Sequence, residues 1–267
     1  MSNPIENKTV LITGASSGIG AATAKEFALN GALVLLVARN ENKLKKVVAE
    51  IEANGGKAKY FVADVADFNI VQQLAEKVKT EVGVPDILVN NAGQGVWKFI
   101  DETGYEEVSE MMAVPYFAAF YMTKAFLPEM QKRNSGHIVN MTSYAGFIAF
   151  SGATAYIAAR NAMIGFHNAL AADLWRTNIK TSLAYFAKVK SDYWQNNPGS
   201  EERLPTSQSL IPVITTEKAA RAIVKGVKKG KRKIATPFMI FVMNALIRYT
   251  PGITRLIINK TGYKRKD

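Results

Sequence analysis

The sequence predicts an α/β fold, a doubly wound parallel sheet of about seven strands in a single domain. Seven short, β-rich apolar runs alternate with helical patterns of 12 or more residues. Strands joined by helices rather than hairpin turns need right-handed crossovers, and these build a parallel sheet covered on both faces. The 267 residues, 48% of them hydrophobic, suffice for one large domain with a sizeable core. No internal repeat or low-complexity linker divides them.

In chain order, the first strand, "TVLIT" (9–13), runs into "TGASSGIGAATAKEFA". Gly14 permits a sharp turn. Gly18 and Gly20, with Ser16, Ser17 and Ile19 between and beside them, let a pyrophosphate approach the backbone, and the helix that follows offers unpaired N–H groups and a positive dipole end. This is a Rossmann-type, nucleotide-binding start. The second strand, "ALVLLVA" (32–38), ends at Ala38 and Arg39, with Lys43 nearby. An NAD site places Asp or Glu here for the ribose 2′-hydroxyl, whereas an arginine grips a 2′-phosphate with a bidentate, charge-assisted pair. The cofactor expected is therefore NADP(H). "KAKYFVA" (57–63), "DILVN" (86–90), "HIVNMT" (137–142), "KTSLAYF" (180–186) and a weaker "RKIAT" (232–236) complete the sheet. The long segment 187–217 reads as an irregular lid or binding loop. The domain is expected over residues 1–235, and residues 236–267 form a basic, apolar extension packed on the domain or on a membrane surface.

Composition excludes several chemistries. Without cysteine there is no disulfide, thiolate catalysis or thiolate metal site, and the two histidines, His137 and His167, fall in a strand and a helix as packed residues; no metal is expected. The N-terminus lacks the basic region of a secretory signal. The longest apolar run, "PFMIFVMNALI" (237–247), is shorter than the ~18 residues of a spanning helix, so a cytoplasmic protein is expected, with at most peripheral membrane contact. Of the formal charge of +12, +11 lies between Lys225 and the C-terminus. Such a concentration argues against a global nucleic-acid-binding surface and toward an anionic bilayer touched by the tail.

"TGASSGIG" at 13–20, "ADV" at 63–65, "NNAG" at 90–93, "IVNMTS" at 138–143 and Tyr156 together resemble the short-chain dehydrogenase/reductase family. The resemblance implies that Asp64 and Val65 frame the adenine, that Asn90, Asn91, Ala92 and Gly93 lie along the cofactor, that Val189 and Ser191 follow in register, and that Ser143 and Tyr156 are catalytic. With ten tyrosines and 34 basic residues, one Tyr-x-x-x-basic pair is expected by chance, so Ser143, thirteen residues before Tyr156, gives the match its weight. NADPH would supply the hydride, Tyr156 the proton, and Ser143 a hydrogen bond to the carbonyl oxygen. A fixed cation about 5 Å from a phenol stabilises its ionised form by roughly 3 kcal/mol.

Three positions depart from the family pattern. The cation is Arg160 rather than lysine; it keeps the charge, but its fork differs from a point ammonium that also holds the ribose. Pro115 stands where the family has an asparagine; proline also kinks a helix, freeing the carbonyl of Met111, but carries no amide. The family's Pro-Gly falls on Phe186 and Ala187. Aromatics expected to face the pocket are Trp97, Phe99, Phe147, Phe150, Tyr185, Phe186, Tyr193 and Trp194, which suits a bulky, apolar small-molecule substrate. A homodimer or homotetramer is expected. Two readings stand at this point: an NADP(H)-dependent carbonyl reductase or alcohol dehydrogenase, and an NADP(H)-binding protein with little turnover, acting as sensor or membrane-surface scaffold. They part at positions 115, 160, 186 and 187.

Overall fold

The computed structural model describes residues 4–265; residues 1–3 of the predicted domain and Lys266 and Asp267 of the predicted extension lie outside the described residues. The elements follow as β1 (Thr9–Thr13), α1 (Gly18–Leu29), β2 (Leu33–Ala38), α2 (Glu41–Ala53), β3 (Lys57–Val62), α3 (Phe68–Glu81) and β4 (Ile87–Asn90). Then come α4 (Tyr105–Met112), α5 (Ala118–Lys132), β5 (Gly136–Ser143), α6 (Thr154–Asp173), β6 (Ile179–Phe186), β7 (Val189–Lys190) and α7 (Tyr193–Asn196). The chain ends with β8 (Ile214–Thr215), α8 (Thr216–Lys228), β9 (Lys233–Thr236), α9 (Met239–Tyr249) and α10 (Pro251–Thr261).

All seven expected strands enter one parallel sheet of order β3-β2-β1-β4-β5-β6-β9. The order reverses between β1 and β4, where an open α/β sheet leaves a crevice at its carboxyl edge. Alternation along the strands divides the core. Val10 and Ile12 pack with Phe27, Leu44 and Ile223 on one face, whereas Leu11 packs with Met122, Phe126 and Leu170 on the other. Helix starts follow capping chemistry. The Asn40 side chain accepts from Lys43 N at 2.9 Å to open α2, and Asp67 accepts from Asn69 N at 2.7 Å to open α3.

The segment 187–217 is more ordered than its sequence suggests. β7 and β8 pair in parallel as a separate two-stranded sheet, and the buried Val189 and Ile214 anchor both roots of the loop in the main core. A flap with both ends pinned lies between them, carrying α7 and two short 3-10 turns. Beyond β9, α9 and α10 pack on the domain through Ile240 and Ile258. Among the described residues no helix is long and apolar enough to cross a membrane.

Both histidines are packed, as their sequence positions imply. His137 Nε2 lies 2.7 Å from Ser182 Oγ, and Ser182 donates its own hydroxyl proton to Lys231 O at 2.6 Å, so Nε2 is the donor of the first bond. Burial, reinforced by Lys180 beside His137 and by Arg232 and Lys233 beside His167, lowers both imidazoles to about 4. An unfolded histidine titrates near 6.5. The folded state therefore binds fewer protons between those values, and stability is full above pH ~6.5 and falls as pH drops toward 4. Each histidine contributes up to about 3 kcal/mol to that loss. Urea unfolding across this range checks the slope, and a flat stability from pH 7 to 4.5 would contradict it.

Candidate active site

A cavity of about 740 Å³ opens at the carboxyl edge of the sheet. Every residue predicted for the site lines it except Asn90. Asn90 is buried behind the cavity, donating to Asn140 Oδ1 at 2.9 Å and Thr123 Oγ1 at 3.1 Å, so it braces β4 against β5 and α5. Expected along a cofactor, Asn90 instead turns its side chain, at the last position of β4, into the helix layer, and Asn91 is the asparagine of the pair that lines the cavity.

The glycine turn is built for close approach. Gly14 (φ +66°) and Gly18 (φ +55°) take left-handed backbone conformations. Gly20 is required for a different reason, because a Cβ there would lie 2.2 Å from the Gly14 carbonyl oxygen. Ser17, the residue before α1, makes no side-chain cap, so the first N–H groups of the helix face the cavity. The Thr13 hydroxyl accepts from the backbone N–H groups of Asn91 and Ala92 at 3.0 Å, and Asn91 Nδ2 donates to Thr13 O at 2.9 Å. These bonds lock the turn to the end of β4.

At the same end Arg39 forms an exposed ion pair with Asp64, 3.7 Å apart, beside Asn40 and Lys43. A solvent-exposed pair of this kind is worth at most about 1 kcal/mol, so the guanidinium is free to turn to a stronger anion. The bare glycine turn, the uncapped helix start and this cation together fit a dinucleotide carrying a 2′-phosphate.

At the other end stand Ser143, the last residue of β5, and Tyr156, in the first turn of α6. Their relation is fixed by the neighbours: the Thr142 hydroxyl donates to Arg160 O at 3.0 Å, tying the strand end to the helix one turn after Tyr156. Gly146 lets the intervening turn approach, since a Cβ would lie 3.1 Å from the Arg160 backbone. The Ser143 hydroxyl accepts from Ala145 N at 3.2 Å, so its proton is available for donation.

Tyr156 is held on every side. Its ring lies 5.2 Å from that of Trp97, and the Arg160 guanidinium stands 4.7 Å over its face. Arg160 Nη2 donates to Gln94 O at 3.3 Å, and a Cβ on Gly93 would lie 3.1 Å from both terminal nitrogens. Arg160 thus reaches the tyrosine as predicted, stacked on the ring. The flap supplies a partner not read from the sequence. Tyr193 Oη donates to Gly95 O at 3.0 Å and accepts from Trp97 Nε1 at 3.1 Å. Its ring lies beside that of Tyr156, centroids 6.5 Å apart, and its single hydroxyl proton is already placed on Gly95 O. Burial, with Tyr156 as neighbour, pushes the Tyr193 phenol far above its usual range and keeps it protonated.

The kink expected at Pro115 falls one residue earlier. Val114 is forced out of helical geometry (φ −134°, ψ 105°), which is the restriction a proline imposes on its predecessor. Val114 and Met111 line the cavity, Pro115 is buried, and the kinked segment packs on α6. Phe186 and Ala187 line the cavity too.

Of the aromatics expected there, Trp97, Phe150, Phe186, Tyr193 and Trp194 are present. Tyr185 is excluded by strand alternation: with Phe186 facing the cavity its neighbour points to the opposite side, where its ring meets that of Phe147 at a tilt, centroids 4.7 Å apart, in a cluster with Ile240 of α9. Phe99 lies outside, tilted against Tyr263 and covered by Arg203 and Arg265. Sequence reasoning missed Gln94 and Gly95. The second glycine of "NNAGQG" was the available signal.

A family model described as short chain dehydrogenase matches residues 8–202. The chain is 34% identical over 235 residues to a fatty acyl-CoA reductase of Acinetobacter baylyi, covering 87% of this chain and 77% of that protein. It is 34% identical over 250 residues to estradiol 17-beta-dehydrogenase 11 of Mus musculus, covering 92% and 81%. Among solved structures, a metagenomic short-chain oxidoreductase in complex with NADP superposes with a TM-score of 0.73 at 28% identity, covering 87% of this chain and 98% of that one.

Proposed function

The chain belongs to the short-chain dehydrogenase family, and from that premise we propose that it is an NADP(H)-dependent oxidoreductase interconverting a ketone or aldehyde and an alcohol on a bulky, apolar substrate. The observation that carries the reading is that Ser143 and Tyr156 line one continuous cavity with the glycine turn and Arg39. Bound NADPH supplies the hydride. Gly14 to Gly20 and the start of α1 receive its pyrophosphate, and Arg39 with Lys43 receives the 2′-phosphate.

Reduction requires a proton for the carbonyl oxygen and a donor to hold that oxygen as negative charge develops. Tyr156 gives the proton, Ser143 gives the hydrogen bond, and Arg160 holds the phenol ring and keeps positive charge beside it. The five aromatics around this end exclude water and suit a large apolar body. The two relatives, named for a fatty acyl-CoA and for estradiol, support the same substrate class. The exposed Phe117 and Phe120, clustered with Tyr116 and Phe166 across α5 and α6, support assembly with a second copy.

The test is NADPH oxidation with a panel of apolar ketones and aldehydes, on the native protein and on Arg39→Ala. The native protein turns over with NADPH in preference to NADH, and the variant raises the KM for NADPH roughly 10- to 100-fold while leaving that for NADH nearly unchanged. Equal use of both cofactors by the native protein would refute the 2′-phosphate reading. Tight NADPH binding without turnover on any substrate would refute the enzyme reading.

A further inference from the structure

The C-terminal helices present an apolar face that the domain does not cover. Inward, Ile240 packs with Tyr185 and Ile211, and Ile258 joins the cluster containing Trp97, Phe150 and Tyr156. Outward, Phe238 just before α9 and Val242, Leu246 and Tyr249 along it follow one another at helical spacing, and Ile253, Leu256 and Ile257 do so on α10. Phe238 and Tyr249 are each 77% exposed and Ile253 62%. The two helices pack against each other across the turn at Thr250, so both stripes belong to one hairpin.

The hairpin's own charge has one sign. No acidic residue occurs between Glu217 and Asp267, and Arg248, Arg255, Lys260 and Lys264 are all exposed in or just after the hairpin. A second copy docked on this face would bring those cations together with no hairpin carboxylate to answer them. Anionic headgroups answer them, and the apolar side chains between the cations fit the boundary between headgroups and acyl chains.

The hairpin is also tied to the wall of the active-site cavity. Thr261 Oγ1 donates to Ser207 Oγ at 2.9 Å, Thr206 Oγ1 donates to Thr261 O at 3.4 Å, and Ser151 Oγ donates to Tyr263 O at 2.6 Å. Leu204, Pro205 and Gln208, from the same part of the flap, line the cavity. From these observations we propose that the outward face of α9 and α10 docks on an anionic lipid bilayer and holds the flap side of the cavity at its surface, so that an apolar substrate passes from the bilayer into the site. The passage of substrate rests on the function proposed above; the docking does not.

The experiment is co-sedimentation of the full chain with vesicles of phosphatidylcholine alone and of phosphatidylcholine with phosphatidylserine, without substrate, so that failure to dock and failure to turn over are read separately. Two double variants divide the terms: Tyr249→Ser with Ile253→Ser removes exposed apolar anchors, and Arg248→Gln with Arg255→Gln removes charge. Retained NADPH binding in both shows that they fold. The native chain binds the anionic vesicles, the charge variant weakens that binding roughly 25-fold at about fivefold per cation, and the apolar variant also weakens it. Equal binding to both vesicle types, no binding to either, or binding indifferent to both variants overturns the proposal. So does a native oligomer that the apolar variant alone dissociates, which would make a second copy the occupant.

Discussion

Tyr156→Phe lowers kcat/KM for the carbonyl substrate by about a thousandfold, within the 10²- to 10⁴-fold range typical of a lost general acid, while NADPH still binds. The substitution removes one oxygen and little else. A phenylalanine ring keeps the contact with Trp97 at 5.2 Å and the Arg160 guanidinium 4.7 Å over its face. Tyr193 keeps its bonds to Gly95 O and Trp97 Nε1, so the stability cost is at most about 1 kcal/mol. Ser143 cannot replace the lost acid, because an alcohol holds its proton more tightly than a phenol. Single-turnover reduction and thermal unfolding, measured on one preparation, separate the two effects. A variant retaining a tenth or more of native turnover would show that the proton comes from elsewhere.

Gly95→Ala lowers kcat about a hundredfold with little change in NADPH affinity, because it displaces the tyrosine without touching the glycine turn. A Cβ at this position would lie 2.3 Å from Tyr156 Cδ2 and 2.8 Å from Cε2, distances that no packed ring tolerates. The ring cannot retreat far, with Trp97 and Arg160 packed against it, so the backbone 94–96 shifts as well and the carbonyl that receives Tyr193 moves with it. Overpacking of this kind costs about 1–3 kcal/mol of stability. Gly165→Ala, on the exposed side of α6 with nothing within 4 Å of the added carbon, is the control and leaves kcat unchanged. Native kcat in Gly95→Ala would mean that close backbone approach does not seat the catalytic ring.

The sheet and the nucleotide end of the site were legible because each is set by short-range chemistry. Strands such as "TVLIT" and "ALVLLVA" declare themselves by continuous apolar β-branched or leucine-rich runs, and Gly14, Gly18 and Gly20 by their place between strand and helix. The Ser143–Tyr156 pair was legible from the resemblance to the family, whose serine and tyrosine stand at this separation. What stayed hidden depends on which way a side chain turns. Tyr185 and Phe186 read alike until strand alternation sends them to opposite faces, and Asn90 and Asn91 read alike until one is buried behind the wall. Tyr193 follows α6 and β6 in the chain, and only the pinning of Val189 and Ile214 brings its ring beside that of Tyr156. Arg160 was recognised as a departure, but its stacking on the ring face depends on room left by Gly93, a long-range contact.

The bonds that hold Tyr193 divide the labour of two neighbouring phenols. Tyr193 Oη gives its single proton to Gly95 O and is itself held by Trp97 Nε1, and burial keeps it protonated. It can therefore neither give a proton to a substrate oxygen nor take one from Tyr156. The phenol on the helix is left to do chemistry, while its twin on the flap serves as a latch.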